Sequence, residues 1–425
     1  MNRGLYTALY YCLLPFIFLR LLWRARQSPA YARRWGERLG FFAAPGSGGG
    51  LWLHSVSVGE TVAAAPLIKQ IQQAYPELPI TITTMTPTGS DRVRELFGDT
   101  VFHVYVPYDI PCAINRFLNN VKPRLLLIME TELWPNMIHV SHRRGIKQLV
   151  LNARLSERSA RGYRRFPKLV SDMLSRLDGV AAQSQGDAER LRGLGLSAEK
   201  LVVTGSIKFD IEVAQQVREQ AVLLRREWGE ERPVWIAAST RLGEDELVLD
   251  AFRQLLDNYP ELLLVVVPRH PERFDQVAEL CRSMGFKVAR RSRGENVAAD
   301  TQVMLGDTMG ELLLMYGASD VAFVGGTLVE TGGHNFLEPA ALGLPVISGP
   351  HRFNFAEVGR MLLSAGAMQE VHSSNELAKA VSGLLADPER MQQMGRAAKQ
   401  VIAANRGARQ RLFEMVKGYL GFLSK

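Results

Sequence analysis

Cysteine is scarce. The three in 425 residues, Cys12, Cys112 and Cys281, lie far apart, are odd in number and form no CxxC pair. That excludes a disulfide framework and a structural zinc site, and it argues for a reducing compartment. The eight histidines are scattered, so no cluster has metal-ligand spacing. A Walker loop and a GxSxG elbow are both missing, which removes P-loop and nucleophile-elbow chemistry. Internal repeats of solenoid length and low-complexity tracts are missing too. The middle of the chain also lacks excess positive charge. The total is +8, but residues 1–38 carry a net +6 and residues 390–425 a net +7, which leaves the middle at −5. A nucleic-acid binder places its basic residues on a working face with interleaved aromatics, so no nucleic-acid partner is expected.

What remains is ordinary globular material, 47% hydrophobic and 22% charged. At about 100 to 200 residues per domain, the length implies two or three domains. From Leu5 to Leu19 there is no charged residue, and Leu21, Leu22 and Trp23 extend the run past Arg20. This is short of the ~20 residues of a comfortable span, though Arg20 can snorkel. The Arg-rich flank follows the apolar run and no small-x-small site comes after it, so an uncleaved anchor is expected rather than a signal peptide. Arg24, Arg26, Arg33 and Arg34 suit anionic headgroups, and the positive-inside tendency puts the body of the chain in the cytoplasm.

After a Gly-rich break at Pro45–Gly50, short apolar runs alternate with amphipathic stretches. The strands expected are 51–55, 79–84, 101–106, 124–129, 147–151, 179–183 and 201–204, then 234–238, 262–267, 287–290, 302–305, 321–324 and 345–348. Strands alternating with helices imply parallel sheets covered on both faces. The expected organisation is an anchor with its basic flank over 1–39, one Rossmann-like domain over 40–207, a charged helical linker over 208–231, and a second Rossmann-like domain over 232–425. The last 60 residues are expected to be helical. Two such α/β domains, doubly wound, are expected to face each other across a cleft.

In open α/β sheets, ligands sit at the C-terminal ends of strands. His54-Ser55-Val56-Ser57-Val58-Gly59-Glu60 is such an end. Ser57-x-x-Glu60 fits a capping box, but Glu60 on a first helical turn can equally face a ligand; spacing alone leaves the two readings even. Three further turns occur in the second half. Arg269 and His270 follow the strand 262–267 and are placed to receive phosphate, although an exposed basic loop is the plainer reading of that segment alone. Gly306-Asp307-Thr308-Met309-Gly310-Glu311 pairs a possible Thr308/Glu311 box with a glycine that capping does not need. Phe323–Leu328 and Gly332–Ala341 hold four glycines in nine residues, then Asn335 and Glu338, another possible box. Glu338 can instead accept hydrogen bonds from vicinal ribose hydroxyls. Three polar, glycine-rich turns in one domain favour a nucleotide site over three coincidental caps. In the first half, Glu130 and Glu132 follow the apolar Leu125–Ile128, so at least one must face out of the core, and Lys208 ends the domain.

Taken together and in order, HSVSVGE, TMTPTGS, METELWPN, NARLS, TGSIKFD, PRHPERF, GDTMGEL, FVGGTL and GGHNFLEPA resemble the 3-deoxy-D-manno-octulosonic acid (Kdo) transferases, glycosyltransferases of the GT-B architecture. The resemblance runs over nearly the whole chain. It implies an inverting transfer of Kdo from CMP-Kdo to lipid IV(A), a lipid A precursor, at the cytoplasmic face of the inner membrane, with no cofactor. By the same resemblance Glu60 is the general base and Glu130 and Lys208 stabilise the transition state. CMP is held by Pro268, Arg269, Met309, Gly310, Glu311, Asn335, Phe336, Leu337 and Glu338. A carboxylate at a helix N-terminus stays ionised at neutral pH, so Glu60 is expected to be available but weakly basic. The leaving phosphate needs only cations and N–H donors, so no metal is required. Another GT-B nucleotide-sugar enzyme, such as an epimerase, and an inactive membrane-attached binding protein are the rival expectations.

Overall fold

The computed structural model describes residues 2–46 and 48–423. The chain folds into two compact units, Met1–Asp210 with Arg406–Lys425, and Ile211–Asn405.

The first unit is built on seven parallel strands: β1 (Leu51–His54), β2 (Ile80–Thr84), β3 (Phe102–Tyr105), β4 (Leu125–Met129), β5 (Lys147–Ala153), β6 (Gly179–Ala182) and β7 (Leu201–Val203). Their order is β3-β2-β1-β4-β5-β6-β7. Strand order reverses between β1 and β4, which are hydrogen-bonded neighbours, and a reversal of this kind opens a crevice at the strand ends. β1 and β4 are buried at every position, as a sheet covered on both faces requires. Trp52, Leu126 and Ile128 face one core, and Leu51, Leu53, Leu125 and Leu127 face the other.

The second unit repeats the plan with β8 (Val234–Thr240), β9 (Leu263–Pro268), β10 (Val288–Arg290), β11 (Val303–Leu305), β12 (Val321–Val324), β13 (Val346–Ser348) and β14 (Met368–Glu370), in the order β10-β11-β9-β8-β12-β13-β14. All its pairings are parallel. The expected strands are all present. The strand β14 is an addition, since the pattern of the last 60 residues reads as helical throughout.

Two expected boundaries move. The stretch 208–231, expected as a charged helical linker, does carry a helix, and from Ile211 it belongs to the second unit. Its helix Gln215–Trp228 buries Ala221, Leu224 and Trp228 in the second unit, and Arg225 Nη2 pairs with Asp320 Oδ2 at 3.0 Å. The last helix, Ala408–Leu423, is expected with the second domain but belongs to the first unit. Leu412, Val416 and Leu420, spaced four apart on one helical face, pack with Leu67, Ile68 and Ile71 of the helix Val58–Ala74. Arg411 Nε donates to Thr204 O at 2.8 Å.

The N-terminal helix runs from Arg3 to Gln27, longer than the uncharged run because Arg20 and its neighbours continue it. By length and composition it is able to cross a membrane. One face is not free for lipid. Tyr10, Leu14, Ile17, Phe18 and Leu21 pack with Tyr108, Ile110 and Ala113 of the first unit, and Tyr6 donates to Asp109 Oδ2 at 2.9 Å. The opposite face exposes Leu9, Leu13, Phe16, Leu19 and Trp23.

Candidate active site

The turn after β1 forms the expected helix cap. Ser57, in extended backbone, caps the helix Val58–Ala74, its Oγ accepting from Glu60 N. The Ser57 hydroxyl also donates to Glu60 Oε1 at 2.8 Å, and Val56 N donates to Oε2 at 2.8 Å. This is a capping box displaced by one residue, with the reciprocal bond on Val56 rather than on the cap itself. Glu60 is only 7% exposed. Burial raises its pKa to about 7, the hydrogen bonds from Val56 and Ser57 oppose the rise, and the charges of Glu130 and Glu132 add to it. The expectation that Glu60 stays ionised at neutral pH and is only weakly basic is therefore corrected: desolvation outweighs the stabilisation by the helix start. A carboxylate poised near neutrality suits proton abstraction.

Beneath this turn His54 is fully buried and held neutral, its pKa lowered by burial to about 3. Its Nδ1 meets Thr83 Oγ1 at 3.1 Å, and its ring lies edge-on to Trp134, 5.0 Å between centroids. Trp134 Nε1 in turn donates to Glu132 Oε2 at 3.1 Å, and burial raises the pKa of Glu132.

After β4, at the neighbouring strand end, Glu130 takes a left-handed backbone conformation, φ 53°. Its N–H donates to Leu151 O at 2.9 Å, and its Oε1 accepts from Lys208 Nζ at 2.8 Å. Glu130 and Lys208, each expected in the site, are thus brought together. Lys208 reaches this position because Ile207 N donates to the buried Asn152 Oδ1 at 3.0 Å. Asn152 is itself left-handed, φ 55°, a conformation that Asn tolerates better than most residues.

In the second unit Pro268 ends β9 and is buried, whereas Arg269 is exposed and its N–H donates to Thr240 O at 3.1 Å. Met309 is 68% exposed and Gly310 is left-handed, φ 87°. Glu311 is held by two bonds from Arg291, at 2.9 and 3.1 Å, which lower its pKa. The Thr308/Glu311 box does not form: Glu311 occupies the cap position of the helix Leu312–Gly317, and its carboxylate accepts from the Thr308 hydroxyl instead of a backbone amide. The Asn335/Glu338 box is also altered. Asn335 Oδ1 accepts from Leu337 N at 3.1 Å, while Asn335 Nδ2 donates to Glu338 Oε1 at 3.0 Å. Burial raises the pKa of Glu338, and Asn335 and the charge of Arg269 pull it down, so Arg269 and Glu338 share one neighbourhood. Phe336 and Leu337 are core residues, 0% and 1% exposed; only their backbone is available to a ligand.

Sequence reasoning missed the turn after β8. Arg241 Nε donates to His334 Nε2 at 3.1 Å, and its Nη1 contacts His270 Nε2. Burial and the neighbouring arginines lower both imidazole pKa values, that of His334 to about 4. Arg241, Arg269 and Arg273 lie close enough for like-charge repulsion, with Glu244 opposing it at Arg241. Arg273 is paired to the buried Asp245, which leaves Arg241 and Arg269 as the cations best placed for an anion. The glycine-rich loop differs from its expected use. The amides of Gly326, Thr327 and Leu328 already donate to the buried Glu244. A polar turn with Gly243 and Glu244 directly after a strand was the signal available. Among the described residues no group of three or more His, Cys, Asp or Glu could hold a metal ion.

The family described as 3-Deoxy-D-manno-octulosonic-acid transferase (kdotransferase) matches residues 33–211, and the family described as glycosyl transferases group 1 matches residues 244–401. A 3-deoxy-D-manno-octulosonic acid transferase of Haemophilus influenzae is 48% identical over 423 residues, 99% of each chain. The crystal structure of the C-terminal CMP-Kdo binding domain of WaaA from Acinetobacter baumannii is 39% identical and covers 44% of this chain and 99% of its own, with a TM-score of 0.43. A UDP-GlcNAc 2-epimerase from Neisseria meningitidis, 15% identical, superposes with a TM-score of 0.57 over 87% of this chain and 99% of its own. At that identity the likeness is one of fold, and with two parallel seven-stranded sheets the architecture is GT-B. Sharing nearly half its residues with a transferase of the same extent, this chain is a glycosyltransferase and belongs to the 3-deoxy-D-manno-octulosonic acid transferase family.

Proposed function

We propose that the protein transfers Kdo from CMP-Kdo to a hydroxyl of lipid IV(A), with inversion, in lipopolysaccharide biosynthesis. The observation that carries the reading is Glu60: a buried carboxylate at a strand-to-helix turn, its pKa raised to about 7, in a chain of this family. In the proposed reaction the acceptor hydroxyl attacks the anomeric carbon of Kdo as its bond to the CMP phosphate breaks. Glu60 takes the hydroxyl proton. Lys208 and Glu130, paired at 2.8 Å, stabilise charge that develops at the reacting centre. The phosphate leaves as an anion and needs cations rather than a general acid, a role that suits Arg269 with Arg241 beside it. Met309, Gly310 and Glu311, and the segment from Asn335 to Glu338, hold the nucleotide, with Glu338 accepting from the ribose hydroxyls and Pro268, Phe336 and Leu337 contributing backbone.

The acceptor is amphiphilic and multiply phosphorylated. The exposed apolar face of the helix Arg3–Gln27 and the Arg-rich flank support attachment to anionic lipid at the cytoplasmic face of the inner membrane. Incubation of the full chain with CMP-Kdo and lipid IV(A), with product masses counting the sugars added, tests the reading. A mass increase by whole Kdo units is expected; no product with CMP-Kdo, but product with a UDP-sugar, would overturn it.

A further inference from the structure

We propose that Glu244 is a positioning residue of the donor site: its carboxylate latches the turn carrying Arg241 to the glycine-rich loop that leads into His334 and Glu338. The proposal rests on the reading of the second unit as the CMP-Kdo side.

Glu244 is 0% exposed, and a buried carboxylate persists only where its charge is met by donors. Here four backbone amides meet it. Oε2 accepts from Arg241 N at 3.1 Å and Gly326 N at 2.6 Å. Oε1 accepts from Thr327 N at 3.0 Å and Leu328 N at 2.9 Å. Two bonds on each oxygen use the roughly four acceptor positions of a carboxylate, so none is left for a ligand. Glu244 therefore acts through what it holds.

The loop is shaped for this contact. A Cβ on Gly325 would sit 2.8 Å from Glu244 Oε2 and 2.8 Å from Ser239 O, so a side chain there would push the carboxylate off the amides. Gly326 turns the chain with φ 71°, and its carbonyl accepts from Gly333 N at 2.7 Å and from the Thr331 hydroxyl at 3.0 Å. The loop is thereby folded back on itself just before His334. On the other side of the latch, Thr240 O receives the Arg269 amide at 3.1 Å, and the Arg241 side chain reaches His334 and His270. Glu244 thus ties the turn after β8 to the turn after β12, while the backbone bond from Arg269 to Thr240 ties the end of β9 to the same turn.

A carboxylate is needed because all four partners donate. In Glu244→Gln the amide nitrogen would face N–H groups, losing two bonds and adding donor–donor repulsion at unchanged size.

The test uses the full chain, CMP as the probe, and two readouts. In Glu244→Gln, CMP titration calorimetry is expected to show binding weaker by about tenfold or more, as two buried hydrogen bonds are lost. Amide hydrogen exchange is expected to accelerate at Gly326, Thr327 and Leu328 while the amides of β12 keep their protection. Val248→Ala, a cavity one turn further along the helix Asp245–Leu256, lowers the melting temperature but leaves CMP affinity and those three amides as in the wild type. Glu244→Asp, which keeps the charge on a shorter arm, gives an intermediate loss and carries the test if Glu244→Gln does not fold. Wild-type CMP affinity and unchanged exchange in Glu244→Gln would overturn the latch. So would an equal loss of affinity in Val248→Ala, since general destabilisation would then explain the effect. A wild-type chain that does not bind CMP would instead overturn the donor-site reading, while the exchange data would still decide the latch.

Discussion

At the scale of single residues, the proposed role of Glu60 as base makes its protonation balance the expected source of the enzyme's pH response. Only the ionised form can accept a proton. Because burial lifts the pKa of the free enzyme's Glu60 to about 7, kcat/KM is expected to rise with pH through that value and level off above it. Glu132 contributes to the rise through its negative charge, so Glu132→Gln should move the acid limb to lower pH; pH–rate profiles of the two proteins check this. Lys208→Ala should lower kcat by about 100- to 1000-fold, the usual cost of removing one electrostatic stabiliser, with CMP affinity unchanged by calorimetry. The strand-to-helix turns that carry Glu60 and Glu130 were legible in sequence because turn chemistry is local, whereas the roles proposed for Glu60, Glu130 and Lys208 came from the family resemblance and not from the turns themselves. The pKa of Glu60 was not legible. A helix start lowers a carboxylate's pKa and burial raises it, and which one prevails depends on packing between residues far apart in the chain. Glu244 escaped notice for the same reason, since three of its four partner amides lie more than 80 residues away.

At the scale of elements, most strands were legible because the central strands of both sheets are covered on both faces and read as apolar runs. β14 did not, since two of its three residues, Gln369 and Glu370, are polar. Element ownership was also hidden. Sequence order places the helix Ala408–Leu423 with the second domain, whereas Leu412, Val416 and Leu420 complete the core of the first unit. Leu412 is 0% exposed, and Leu412→Ala should cost about 2 to 5 kcal/mol. The loss belongs to the first unit, so thermal unfolding should shift down while CMP affinity holds. A mutant that instead loses CMP binding with no change in unfolding would contradict this assignment of the helix.

At the scale of the molecule, charge and apolar surface are separated along the chain. The termini are basic, the middle is acidic, and the helix Arg3–Gln27 presents Phe16 and Leu19 to its surroundings, 67% and 59% exposed. Replacing both by Asp removes apolar surface without disturbing the packed face. Co-sedimentation with vesicles of anionic lipid should fall sharply while the melting temperature stays within about 2 °C, as for exposed positions generally; unchanged sedimentation would place attachment elsewhere. All of this serves one proposed event, the removal of a proton from the acceptor hydroxyl by Glu60. The most direct test is the rate of Kdo transfer from CMP-Kdo to lipid IV(A) by Glu60→Gln at pH 8, with CMP affinity measured on the same preparation. The rate should fall by about 100- to 10,000-fold, the usual contribution of a general base, with CMP bound as in the wild type. Transfer within a few-fold of the wild-type rate would show that another group takes the proton.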